Sequence, residues 1–282
     1  YCCKSKIVST KNGCYRSINY VVQIKKNFIN NIVRQALNED LEPYGDITTK
    51  YLKFKNVYSI AKIISKQSGL ISGLEFCKKS FKILDKRIVF KAFVRDGNKV
   101  KKNTVIAIVK GKTKNILKAE RTALNFLSHS SGISTLTHQF VKNVKKKTKI
   151  CCTRKTTPNL RKLEKYAVKI GGGVNHRYNL SDEILIKDNH IVSEKNLKGL
   201  VKKTLKSKKT VTVEVESIDQ LKEILGLKFK RVLFDNMSVR NLRKCLELCK
   251  NKYETEYSGN VNLKNLRKIS KTGVNRISVG SI

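Results

Sequence analysis

The sequence predicts an α/β protein in which a small α+β unit precedes a parallel sheet with right-handed crossovers, open or closed into a barrel. Three observations predict it. Up to residue 148, β-branched runs flank amphipathic helical patterns. Beyond it, six short β-branched runs alternate with helical ones. The 282 residues are 40% hydrophobic, enough for a core, which excludes wholesale disorder.

The first helix is read from Phe28, Ile29, Ile32, Val33, Ala36 and Leu37, one stripe at helical spacing. The polar turn from Glu39 through Pro43 to Asp46 ends it. Strand-like runs at 57–64, 87–94 and 104–110 surround a helix marked by Leu74, Cys77, Phe81 and Leu84. Two further helical patterns come next, one carrying Leu117, Leu124 and Leu127, the other Ile133, Leu136, Phe140 and Val144. The later strands are expected at 149–152, 184–186, 211–215, 231–234, 253–257 and 276–279, each pair separated by one helix, such as 160–170 or 239–248.

Lysine and arginine number 61 against 21 acids, a formal charge of +40. Such an excess first suggests nucleic acid, because cation–phosphate contact is the main sequence-independent term in that binding. Its detail argues otherwise. Lysine accounts for 48 of the cations and arginine for 13, spread along the chain, whereas bidentate phosphate and base contacts favour arginine. With 24 Asn, 2 Pro and no Trp, the composition fits drift toward A+T-rich codons better than a polyanion partner. A basic nucleic-acid-binding protein is kept as the alternative from another class, with steeply salt-dependent binding as its signature.

No window approaches the roughly 18 to 20 apolar residues of a membrane span. The eight cysteines, at 2, 3, 14, 77, 151, 152, 245 and 249, form no C-x-x-C pair, and Cys245 and Cys249 read as core residues one helical turn apart rather than zinc ligands. The first 30 residues carry no secretory-signal pattern, and a reducing cytoplasm is the expected compartment. The chain opens on Tyr1 rather than Met, which leaves an incomplete or processed start open.

The residues at the carboxyl end of each late strand are the most informative. They read Thr153-Arg154-Lys155-Thr156, Lys187-Asp188-Asn189, Glu214 within its strand, Asp235-Asn236, Ser258-Gly259 and Gly280. In parallel α/β folds the carboxyl ends of the strands share one face, where ligands bind. Arg154, Lys155, Arg177 and Lys187, beside His176, then make a dense positive pocket that a multiply anionic ligand would stabilise. Glu214 and Asp235 are hard oxygen donors suited to Mg2+. Gly259 and Gly280 can present backbone N–H groups to a phosphate. Cations, acids and glycines at one pole suggest phosphoribosyl transfer to an acidic acceptor. The run Gly171-Gly172-Gly173 comes after a helix and lacks the dinucleotide order, so it reads as a glycine-rich helix end before His176.

Several strings now carry a resemblance. Thr153 to Pro158, Leu163 to Val168, Gly171 to Arg177 and Ile184 to His190 resemble the quinolinate phosphoribosyltransferase family, the carboxylating nicotinate-nucleotide pyrophosphorylases. So do Glu39-Asp40-Leu41, Gly45 to Thr49, Glu120 to Leu127, Ser131-Gly132-Ile133, Val213 to Glu216 and Phe234 to Met237, in order from about Phe28 to Ile282. The resemblance implies an N-terminal α+β sandwich domain over 1–130 and an irregular, incomplete α/β barrel of about six parallel strands over 131–282. It implies transfer of phosphoribose from phosphoribosyl pyrophosphate to the quinolinate nitrogen, with loss of the 2-carboxylate as CO2, in de novo NAD biosynthesis. By the same pattern Arg154, His176, Arg177 and Lys187 bind quinolinate, and Arg121 reaches in from the partner of a homodimer or larger homo-oligomer. Lys155 sits between the substrates, Glu214 and Asp235 serve Mg2+ and ribose, and Ser258, Gly259 and Gly280 meet the 5-phosphate. Where a glycine is usual after Lys102 the chain has Asn103, which fits if φ is positive. The alternative within enzymes is a sister phosphoribosyltransferase of the same fold, such as the molybdenum-associated homologue.

Overall fold

The structure, a computed structural model, describes residues 24–52, 57–194 and 196–282. Cys2, Cys3 and Cys14 lie outside them. Helix α1 (Lys26–Leu41) buries Ile29, Ile32, Val33 and Leu37, the expected stripe, in a cluster with Phe76 and Phe126. A short α2 (Ile47–Tyr51) is capped by Asp46, whose carboxylate accepts the Thr49 amide at 3.1 Å. Strands β1 (Tyr58–Ile64) and β2 (Gly69–Leu70) precede α3 (Leu74–Leu84), and then come β3 (Val89–Ala92), β4 (Lys99–Val100) and β5 (Val105–Lys112). They pair antiparallel as a three-stranded sheet β1-β5-β3 and a small β2-β4 ribbon. Asn103 takes φ +67° in the turn between β4 and β5, as the sequence required.

The two helical patterns after β5 are one element. Helix α4 runs unbroken from Thr113 to Lys142, 30 residues, and the boundary expected at residue 130 falls inside it. Gly132 does not break it because tertiary packing overrides a weak local preference: Ser130 and Ser134, on either side, are both buried. The N-terminal half of α4 packs with α3 beneath the three-stranded sheet, and its C-terminal half reaches Phe140 in the second core.

That second core belongs to a single parallel sheet. Its elements are β6 (Lys149–Cys151), α5 (Arg161–Ile170), β7 (Ile184–Ile186), α6 (Asp188–Glu194), α7 (Leu197–Leu205), β8 (Val211–Val215), α8 (Ile218–Ile224), β9 (Arg231–Asp235), α9 (Val239–Cys249), β10 (Glu254–Ser258), α10 (Leu263–Ser270) and β11 (Arg276–Ser278). The order is β6-β11-β10-β9-β8-β7, so the first two strands in sequence form the two edges and leave the cylinder open between them. An isolated bridge from Cys151 to Val174 is the partial closure. This is the irregular, incomplete barrel the sequence implied. One detail differs: β7 and β8 are joined by two helices, α6 and α7, because Asn196 caps a second start at Gly199, 2.7 Å away. Every residue of β8 is buried, as for a parallel strand covered on both faces. No helix among the described residues is long and apolar enough to cross a membrane.

Candidate active site

The carboxyl ends of the six parallel strands surround a cavity of about 700 Å³. Arg154, Lys155, His176, Arg177, Lys187, Glu214, Asp235, Ser258, Gly259 and Gly280 all line it. The parallel register explains the convergence: Ser258 of β10 pairs with Asp235 of β9, and Glu214 of β8 with Leu233 one turn of the pleat below. The remaining wall includes Thr153, Asn236, Asn260 and Ser281, with Leu185, Leu233 and Val261 as apolar surface. Of these the sequence reading missed Asn260 and Ser281 as candidates. Asn260 directly succeeds Gly259, and Asn236 and Asn260 both hold positive φ, +51° and +48°.

One side of the cavity is cationic. The Arg177 guanidinium is pushed below its ordinary value by burial and by the Arg154 charge, and it donates to the Glu183 carbonyl at 3.0 Å. Arg154 Nε is buried without a hydrogen-bond partner among the described atoms. A buried guanidinium N–H beside a second arginine suits an anion that accepts from both. His176 is placed differently from the arginines. Its Nδ1 accepts the Arg177 amide at 3.0 Å, and its Nε2 lies 3.4 Å from Glu256 Oε1 inside the barrel. Nδ1 is thus engaged within the protein, whereas the buried Nε2 makes no hydrogen bond among the described atoms and stands near the Glu256 carboxylate.

Two acids share the cavity with these cations. Glu214 is 8% exposed, and its Oε2 lies 3.3 Å from Lys187 Nζ. Burial raises the Glu214 carboxyl above its ordinary value; the Asp235 and Asp188 charges add to this and Lys187 opposes it. Asp235 accepts from Ser258 Oγ at 2.5 Å and from Asn236 Nδ2 at 2.8 Å. The Ser258 hydroxyl, expected at a phosphate, is thus given to Asp235. Gly259 has φ +96°, and a Cβ there would meet the Asn236 backbone nitrogen at 2.9 Å, so only glycine fits. Among the described residues no three His, Cys, Asp or Glu side chains cluster as a complete metal site. Glu214 and Asp235, on adjacent strands, suit a hard cation that draws its other oxygens from substrate.

Arg121 is elsewhere. It projects from α4 into a second cavity of about 990 Å³, with Glu39, Asp40 and the 157–160 loop. The site cavity of the same chain does not include it.

Beneath the pocket lies a charged layer that sequence reading did not find. Arg231 lies 2.9 Å from Glu254, 3.3 Å from Glu183 and 3.5 Å from Glu256; Arg276 lies 3.1 Å from Glu256 and 3.6 Å from Glu254. Glu256 is fully buried and also accepts from Ser278. The available signal was polar alternation in the strands, Glu254 and Glu256, then Arg276 and Ser278, which places these side chains inward.

Comparison with known proteins agrees with this geometry. Residues 133–282 match the family described as quinolinate phosphoribosyl transferase, C-terminal domain, and residues 46–131 the corresponding N-terminal domain. Quinolinate phosphoribosyltransferase [decarboxylating] 2b, mitochondrial, of Nicotiana tabacum is 34% identical over 99% of this chain and 86% of its own length. The probable nicotinate-nucleotide pyrophosphorylase [carboxylating] of Bacillus subtilis is 37% identical over 84% of this chain and 83% of its own. Among solved structures, nicotinate-nucleotide pyrophosphorylase from Francisella tularensis superposes with TM-score 0.86 at 37% identity, covering 93% of each chain. NadC from Streptococcus pyogenes gives 0.86 at 31%, covering 92% of this chain and 93% of its own. With both domain families matched in order and relatives above 30% identity across nearly its whole length, the chain belongs to the quinolinate phosphoribosyltransferase family.

Proposed function

We propose that this protein transfers phosphoribose from phosphoribosyl pyrophosphate to the ring nitrogen of quinolinate with loss of the 2-carboxylate, giving nicotinate mononucleotide, pyrophosphate and CO2, a step of NAD biosynthesis. The observation that carries this is the cavity itself, in which Arg154, Lys155, Arg177 and Lys187 share one space lined by strand ends with Glu214 and Asp235. Three cations, Arg154, Arg177 and Lys187, match a planar dicarboxylate. Lys155 stands at the Gly280 side, its Cδ 3.8 Å from where a Cβ at Gly280 would lie, and so reaches from acceptor toward phosphate. The preorganised cations hold the acceptor with its nitrogen toward ribose C1 and stabilise the electron pair left at C2 when CO2 departs, until a proton from solvent takes it up to give nicotinate mononucleotide. The acids offset the positive charge that develops on the ribose as pyrophosphate leaves.

Glu214 and Asp235 would hold Mg2+, which supplies charge neutralisation to the pyrophosphate. Ser258 would act mainly by fixing Asp235, with Gly259 and Gly280 offering close backbone approach to the 5-phosphate. Arg121, remote from its own chain's site, would serve a partner's site in a homodimer. The five described cysteines are free and buried, which suits a reducing compartment such as the cytoplasm. The test is direct. The protein with quinolinate, phosphoribosyl pyrophosphate and Mg2+ should yield nicotinate mononucleotide, and product formed only from another acidic acceptor would overturn the assignment.

A further inference from the structure

Lys165 lies outside the cavity and is fully buried on α5, yet among the described residues it makes no ion pair with a carboxylate. Its Nζ donates to the His176 carbonyl at 2.9 Å and to Cys152 Sγ at 3.2 Å, and it stands 5.1 Å above the Tyr178 ring. These contacts join two separate loops. Cys152 immediately precedes Thr153-Arg154-Lys155, and His176 immediately precedes Arg177. The peptide unit between His176 and Arg177 is held from both ends: its carbonyl accepts from Lys165, and its N–H donates to His176 Nδ1. Fixing that plane fixes both the imidazole ring and the direction in which the Arg177 side chain leaves the backbone. The neighbouring Asn175 is tied into the same unit, with Cys152 Sγ at 3.4 Å and the Tyr178 hydroxyl at 3.0 Å.

A buried ammonium with only a sulfur, one carbonyl and a ring face around it recovers little of its desolvation cost. An unbranched apolar side chain of similar length would fill the same space at no such cost. The return on Lys165 must therefore lie in something other than stability. We propose that Lys165 is a positioning residue for the acceptor acid, setting Arg177 and His176 relative to Arg154 through the His176–Arg177 peptide. This rests on the quinolinate reading of the cavity.

The test compares the intact protein with Lys165→Met and Lys165→Gln, measuring thermal unfolding, amide exchange over 176–178, and calorimetric binding of quinolinate and of phosphoribosyl pyrophosphate. Lys165→Met should unfold at the same temperature or higher, exchange faster over 176–178, and bind quinolinate roughly ten- to a hundredfold more weakly, as a displaced clamp does. Phosphoribosyl pyrophosphate affinity should change much less, since apart from Lys155 its expected contacts, Ser258, Gly259, Gly280, Glu214 and Asp235, lie on strand ends that Lys165 does not touch. Lys165→Gln can still donate to the His176 carbonyl and should recover most of the quinolinate affinity. Unchanged quinolinate affinity and exchange in Lys165→Met would overturn the proposal. So would a lower unfolding temperature with both substrates weakened together, which marks a structural residue. If Lys165→Met does not fold, the proposal is wrong about the cost of the buried charge and falls on that ground. Failure of the unaltered protein to bind quinolinate would sink the functional reading instead, and the exchange data would still decide whether Lys165 holds the loop.

Discussion

The neighbours of a side chain decide its chemistry. His176 and Arg177 are adjacent in sequence, both were expected at the acceptor and both line the cavity, but the imidazole Nδ1 accepts the Arg177 amide and its Nε2 lies 3.4 Å from Glu256 without a hydrogen bond. Residue types at strand ends were legible because the strand pattern fixes where each strand stops. The inward turn of His176 was not, because it depends on Glu256, 80 positions away in sequence. The hydrogen bond from Asn236 to Asp235 was equally silent, since asparagine in a loop has many uses. Lys187 lines the cavity and is the partner of Glu214, and in the proposed reaction it is also a cation for the acceptor. Lys187→Ala should weaken quinolinate binding by about 1.5 to 3 kcal/mol, roughly one to two decades, measured by calorimetry. Phosphoribosyl pyrophosphate binding should change far less, and equal losses for both ligands would contradict the assignment of Lys187 to the acceptor.

Strands and helices show where pattern reading holds and where packing overrules it. Periodicity located the six barrel strands to within a residue or so, because a fully buried parallel strand is a short apolar run bounded by turns. It divided α4 in two between Leu127 and Ile133, a stretch that holds Gly132 and in which Ser130 is buried, as is Ser134 just beyond. A Cβ at Gly132 would meet nothing within 4 Å, so Gly132→Ala should stabilise by about 0.5 to 1 kcal/mol in denaturant unfolding. Gly171→Ala should do the reverse, because the new Cβ would sit 2.6 Å from the Ser134 carbonyl where α5 ends against α4. Strand β10 contributes to the acid limit of the fold, together with other carboxylates held low, such as Asp85 and Glu164. Burial pushes Glu254 and Glu256 up, but Arg231 and Arg276 at the first and His176 and Arg276 at the second outweigh it, leaving both carboxyls below their ordinary value of 4.5. A depressed folded value means stability that is complete above 4.5 and lost as the pH falls below it. The unfolding temperature should therefore drop as pH falls below that point, and Glu254→Gln should lower it at neutral pH while flattening the acid slope. An equally steep slope in that variant would assign the acid sensitivity to other carboxylates.

For the whole molecule, net charge and shape carry different kinds of information. The charge of +40 pointed to no site, being spread over lysines along the whole chain, whereas the position of Arg121 on α4 bears on assembly. If Arg121 serves a partner's cavity, mixing Arg121→Ala protein with Lys155→Ala protein should restore turnover, since a mixed dimer has one site free of both changes. No recovery in demonstrated mixed dimers would require a site built within one chain. Helix α4 is one rod that packs in both cores and so fixes the attitude of the two halves of the chain. One residue added anywhere along that rod would swing everything beyond it by about 100° and slide it by about 1.5 Å. Insertions and deletions should therefore be tolerated in the loops at either end, while the length of α4 itself behaves as a gear setting that cannot be advanced by a single tooth.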